Sequence, residues 1–201
     1  MFFNIVLTPF MIQFLKAFIA IFIITDSIGN LPFFIGLTEG LTTQERRKIF
    51  NTSILTGIIL LAVFVFAGTM IFKLFSLTMN DIKIAGGILL LLIAIEIMIR
   101  GKITVEHKED MGVVPLGCPL LVGPGAITSV LVILKLYNFW AVLLALIVCF
   151  FVIWLILHFA EGLYTIIGKN GSLIITKISA IIIASIAVQF ICQGLIAVFV
   201  K

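Results

Sequence analysis

The chain has 201 residues, of which 63% are apolar and 11% charged, with a formal net charge of +4. An ordinary soluble domain carries about 25% charged residues, and a surface built from this composition would be too apolar to stay in water. The composition argues against a soluble enzyme, a nucleic-acid binder and a disordered protein; the excess of Lys and Arg reads as the loop bias of a membrane protein.

Met1–Thr8 has no basic n-region, and the apolar stretch after it has no small-residue cleavage site, so the first segment is expected to stay as a membrane span rather than leave as a signal peptide. A spanning helix needs about 20 mostly apolar residues. Taken along the chain, the expected spans are Ala17–Thr38, interrupted by Asp26; Ile49–Phe72; Ile84–Ile99 with a few flanking residues, interrupted by Glu96; Met111–Leu134; Leu136–Ala160; and Ile178–Val200. The second is preceded by Thr42-Thr43-Gln44-Glu45, which reads as a helix start with Thr42 capping and Glu45 reaching back. Six spans put both termini on one side. With the termini outside, the inner loops hold the Arg46-Arg47-Lys48 cluster, then Arg100, Lys102 and Lys108, then Lys169 and Lys177; the outside keeps Lys16, Lys73, Lys83, Lys135 and Lys201. The denser clusters belong inside. Within Arg100–Asp110, the run Glu106-His107-Lys108-Glu109-Asp110 matches no standard ligand spacing and reads as a solvated connector. Cys118, Cys149 and Cys192 have no CxxC or His partner nearby and read as reduced core thiols.

The first and fourth spans are poor helices. Thr25-Asp26-Ser27-Ile28-Gly29-Asn30-Leu31-Pro32 places Gly, Asn and Pro in one turn, and Pro115-Leu116-Gly117-Cys118-Pro119 is followed by Gly123-Pro124-Gly125-Ala126. Proline removes a backbone donor and clashes with the carbonyl four residues back. Freed polar groups must then face protein or line a cavity, not lipid. A shift of 93 residues lays one break on the other, with Asn30-Leu31-Pro32 on Gly123-Pro124-Gly125, Gly86-Gly87 on Ser179-Ala180, Ala94 on Ala187 and Glu96 on Gln189. Each unit (about 9–101 and 111–200) then has three spans, and an odd number turns the second upside down. The expected fold is one all-α integral membrane domain of six helices in two inverted three-helix repeats, helices 1 and 4 broken. Paired broken helices in inverted repeats point to a secondary transporter.

Asp26 is the main polar candidate within the membrane, where a carboxylate costs about 2.5–3.5 kcal/mol on insertion scales. It binds a substrate ammonium, carries a proton, or caps the half-helix beginning near Asn30. Glu96 is the second candidate, but an i,i+4 pair with Arg100 also accounts for it. Gln189 and His158 have structural readings, the first bonding a neighbouring helix, the second sitting at an interface near Glu161. Gly86-Gly87 and Ser179-Ala180 read as close helix packing. No HExxH, Walker loop, GxGxxG or nucleophile–base pair is present, so an enzyme is disfavoured and no cofactor is expected.

Asp26-Ser27-Ile28-Gly29-Asn30-Leu31-Pro32, Ile84-Ala85-Gly86-Gly87-Ile88-Leu89-Leu90, Pro115 through Ile127 with its Gly123-Pro124-Gly125-Ala126 motif, and Ile186-Ala187-Val188-Gln189-Phe190 together resemble the MarC-related integral membrane proteins across essentially the whole chain. The family commonly has Pro at Ser27, Ile at Cys118 and often Asp at Glu96. The resemblance implies six spans in a prokaryotic cytoplasmic membrane and, from some relatives, proton-coupled transport of glycine and alanine; others were named for a supposed role in antibiotic resistance. The substrate carboxylate would meet backbone N–H groups at the half-helix starts near Leu31–Phe33 and Gly125–Ile127. The ammonium would meet Asp26 or carbonyls around Ile28 and Val122. Asn30, Thr25, Thr128 and Ser129 would add hydrogen bonds, while Gly29, Gly123, Gly125 and Ala126 keep the site small. H⁺ or Na⁺ would couple through Asp26 first and Glu96 second. The alternatives are export of other small metabolites or drugs, and a non-transporting membrane scaffold.

Overall fold

A computed structural model describes residues 2–25, 29–38, 40–100 and 108–199, and is helical with no strand among them. The helices are α1 (Phe2–Thr25), α2 (Leu31–Leu37), α3 (Thr43–Leu74), α4 (Met79–Arg100), α5 (Pro124–Leu136) and α6 (Phe139–Phe199). Between α4 and α5 lie a tight turn of helix, Lys108–Gly112, and a wide-turned stretch, Val113–Leu121, with extended backbone at Val114 and Cys118.

The chain is built for lipid. Four stretches are long and apolar enough to cross a membrane: Thr43–Leu74, Met79–Ile99, and Phe139–Phe159 and Ile174–Phe199 within α6. A fifth is Asp110–Leu121 with Pro124–Leu136, bent by 57° at the break between them. Pro9–Thr25 of α1 is a shorter apolar helical stretch. Large side chains such as Phe66, Met70 and Phe151 stand more than half exposed on the outer surface, a face that is stable only against hydrocarbon.

Local chemistry explains the helix starts. At α3, Thr42 Oγ1 accepts from the Glu45 N–H and Glu45 accepts from the Thr42 N–H, forming the expected capping box. Thr78 and Asp81 repeat the arrangement at the start of α4. Both satisfy amides that would otherwise be orphaned. At α5, Pro124 fills the first turn, where its missing N–H costs nothing.

One apolar core joins all the helices, with Ile21 of α1, Phe34 of α2, Leu61 of α3, Leu90 and Ala94 of α4, Val130 of α5, and Phe150, Ala180 and Ile183 of α6. Leu121 and Phe150 meet beside Gly57, while Leu120 and Ile183 line one cavity. Along a straight helix Phe150 and Ile183 would be about 50 Å apart, so α6 cannot run straight between them.

α4 and the second stretch of α6 run antiparallel and touch backbone to backbone. A Cβ on Gly87 would lie 2.8 Å from the Ala187 carbonyl oxygen, and one on Gly194 would lie 3.0 Å from that of Asn80. This is the close packing expected at Gly86-Gly87. Gly87→Val should therefore force the two helices apart and cost about 1–3 kcal/mol. Thermal unfolding in detergent would read this as a drop of about 2–4 °C per kcal/mol; an unchanged melting temperature would show the contact to be slack.

The cysteines are all free, but only Cys149 is buried; Cys118 is half-buried and Cys192 exposed. The expectation of three core thiols is corrected at Cys192, which lies on the outer face of α6, where a thiol is apolar enough for lipid. His158 stacks on Trp154, whose indole N–H donates to Asn51 on α3. That pairing explains His158 without a proton relay.

Candidate functional site

The two Gly/Pro breaks come together in space. Asn30, just before α2, is buried, and its amide nitrogen donates to the Thr25 carbonyl at 2.9 Å and to the Leu120 carbonyl at 3.2 Å. The first carbonyl ends α1 and the second belongs to the wide-turned stretch before α5. One side chain thus answers two carbonyls that Pro and Gly have released from helical bonding. Thr25 returns its own hydroxyl to Ile21 and Phe22 on α1.

Beside this bridge is a cavity of about 210 Å³. Asn30, Gly123, Gly125, Ala126 and Gln189 line it with Phe190, and Ile24, Leu90, Pro119, Leu120, Ile183 and Ile186 complete the wall. No charged side chain is among these lining residues. Its polar groups are two side-chain amides and the start of α5.

That helix start has no side-chain cap. Pro124 has no N–H, and the N–H of Ile127 goes to the Gly123 carbonyl. The amides of Gly125 and Ala126, both in the cavity wall, are the donors left over, and they carry the positive end of the helix dipole. α2 differs. The N–H groups of Phe33 and Phe34 both go to the Asn30 carbonyl, and Pro32 has none. Its start offers far less to a ligand than the sequence suggests.

The other predicted residues are scattered. Asp26 lies outside the described residues. Gly29 is in the exposed turn before Asn30, and Leu31 packs against the core as the first residue of α2. The Thr128 hydroxyl is donated to the Gly125 carbonyl within α5, and Thr128 does not line the cavity. Glu96 is half-buried on α4, away from the lining. Gln189 and Phe190, by contrast, form part of the wall without having been chosen as site residues. Among the described residues no group of three or more His, Cys, Asp or Glu could hold a metal.

The model for MarC family integral membrane proteins matches residues 11–199. The chain belongs to this family. A UPF0056 membrane protein of Buchnera aphidicola is 34% identical, covering 92% of this chain and 93% of its own length. One from Methanocaldococcus jannaschii is 34% identical, covering 90% and 95%, and YhcE of Escherichia coli is 31% identical, covering 92% of each. MarC-family members thus occur in bacteria and archaea as multi-pass membrane proteins. No solved structure matches.

Proposed function

We propose that this MarC-family chain is a secondary active transporter of small neutral amino acids, glycine and alanine, across the cytoplasmic membrane, coupled to H⁺ or Na⁺. The observation that carries the reading is the cavity of about 210 Å³ between the breaks, with an uncapped helix start in its wall and no charged side chain among its lining residues. Among the described lining residues no side chain would pair with a net charge, and an unpaired charge there is costly. A small zwitterion presents its carboxylate to the Gly125 and Ala126 amides and its ammonium to carbonyls of the broken segments. Drug-sized ligands occupy roughly 300–1,000 Å³, so the volume favours glycine or alanine over drug export.

In this reading the chain is two inverted three-helix units with six spans, α1 and α2 forming the first and the bent pair around Val122 the fourth, and both termini outside. The contacts support the two-fold relation. Gly57 and Phe150, 93 positions apart, meet each other; Asn30 with Gly123 and Leu90 with Ile183, also 93 apart, share the cavity. Contact between equivalent positions is what a two-fold axis produces, and substrate sites of such transporters lie at the repeat interface. Asp26 and then Glu96 would carry the coupling.

The test is uptake of radiolabelled glycine and alanine into proteoliposomes, with pH and Na⁺ gradients imposed separately. One gradient should drive accumulation that alanine competes and leucine does not. Asp26→Asn should abolish gradient-driven accumulation. No uptake under either gradient by folded, inserted protein would leave the scaffold reading in its place.

A further inference from the structure

A second recess lies on the outer surface between α4 and the second stretch of α6. Ala94, Met98, Ala180, Ala184 and Val188 line most of it, and among the described residues no charged one lines it. It occupies one half of the helix pair. Towards the other half, Gly87 and Gly194 bring the two backbones together with no room for a side chain. Along α6 the recess runs from Ala180 to Val188, about 12 Å at the helical rise, and ends near the middle of Ile174–Phe199. The hydrocarbon core is about 30 Å thick, so the recess lies within one leaflet.

Lys177 stands one turn beyond its end. Its ammonium donates to the carbonyls of Ile97 (3.3 Å) and Met98 (2.9 Å) near the C-terminal end of α4. These two carbonyls hold the ammonium at the mouth. An ammonium has three donors, and among the described residues two of them are used, by these carbonyls.

We propose that this recess and Lys177 form a binding site for one anionic phospholipid, with an acyl chain along Ala94, Ala180 and Ala184 and the phosphate on Lys177. An apolar slot of single-leaflet length ending in a fixed cation matches a lipid. Basic pockets between membrane helices take anionic headgroups in this way. A helix from a second copy would run on past the mid-plane, where the slot closes. The site is independent of the central cavity.

Native mass spectrometry of the intact protein, released from mixed vesicles of phosphatidylglycerol and phosphatidylcholine, tests this. One phosphatidylglycerol should be retained in preference to phosphatidylcholine. Lys177→Gln should lower that preference about fivefold, the value of one basic residue at an anionic surface, and Lys177→Arg should preserve it. Ala184→Phe, which fills the slot and leaves the cation in place, should remove the retained lipid from protein that is still folded and monodisperse. Equal retention of both lipids, or retention unchanged in Lys177→Gln and Ala184→Phe, overturns the proposal. So does a dimer cross-linked through cysteines placed at Ile181 and Val188, because a second copy would then cover the slot.

Discussion

Replacing Asn30 with Leu is expected to lower the melting temperature in detergent and to abolish uptake. The side chain keeps its size but loses both donors, leaving the Thr25 and Leu120 carbonyls without the amide that now serves them. Hydrogen bonds within membranes average about 0.6 kcal/mol in double-mutant cycles, which sets a lower bound near 1 kcal/mol for the two. Orphaning buried polar groups costs about 1–3 kcal/mol each, which sets an upper bound of about 6 kcal/mol for the two. Asn30→Asp should be the milder change. In an apolar setting the new carboxyl takes up a proton, and its single O–H serves one carbonyl of the two. Melting temperatures in the order wild type, Asn30→Asp, Asn30→Leu check this. An Asn30→Leu protein that melts with wild type would show the bridge to contribute nothing.

Gly125→Ala should change what is transported while leaving the fold alone. A Cβ at Gly125 meets only Ile24 Cγ2 at 3.8 Å and Phe190 Cζ at 3.9 Å, ordinary contact distances across the cavity wall. The methyl therefore enters the space available to a substrate side chain. One methylene in a fitted pocket discriminates about 10–200-fold, so kcat/KM for alanine should fall by that factor while glycine transport is largely retained. Gly123→Ala is the control. Its Cβ would lie 2.8 Å from the Pro119 carbonyl oxygen, which has no rotamer to yield, so that variant should lose folded protein. Equal loss of glycine and alanine transport in Gly125→Ala would place the substrate elsewhere.

The legible parts of this molecule were those coded by local chemistry. Thr42 and Glu45 announce the start of α3 three residues apart, and Pro119, Gly123 and Pro124 announce the break before α5, because prolines and caps act within one turn. Membrane character followed from composition. The far wall of the cavity was harder. Ile183, Ile186, Gln189 and Phe190 lie within a uniformly apolar stretch, where no periodicity separates a face toward lipid from one toward a cavity. The 93-residue shift carries Leu90 to Ile183 and Asn30 to Gly123, and applying it to the breaks' neighbours was the signal that could have found that wall. The bonds from Asn30 to Thr25 and Leu120 had no sequence signal: Asn30 was expected to bond the substrate, and nothing local marks an acceptor 90 residues away. Thr128 was chosen for its hydroxyl, but a threonine within a helix readily gives that hydroxyl to the turn before it.

The glycine contacts divide the molecule along a seam. Where a glycine meets backbone, neither side has a rotamer to adjust. Gly36 lies this way on Thr176, Gly87 on Ala187, Gly194 on Asn80 and Gly112 on Ile49. The first three fasten α2, α4 and the second stretch of α6 into one block; the last fastens the segment before the second break to α3. Gly68 against Leu131, which ties α3 to α5, meets a flexible side chain instead. The chain passes from one block to the other between α2 and α3 and again between α3 and α4. The cavity lies between the blocks, with Leu90, Ile183 and Ile186 on one side and Pro119, Leu120 and Gly123 on the other, so its width depends on how the two are set against each other.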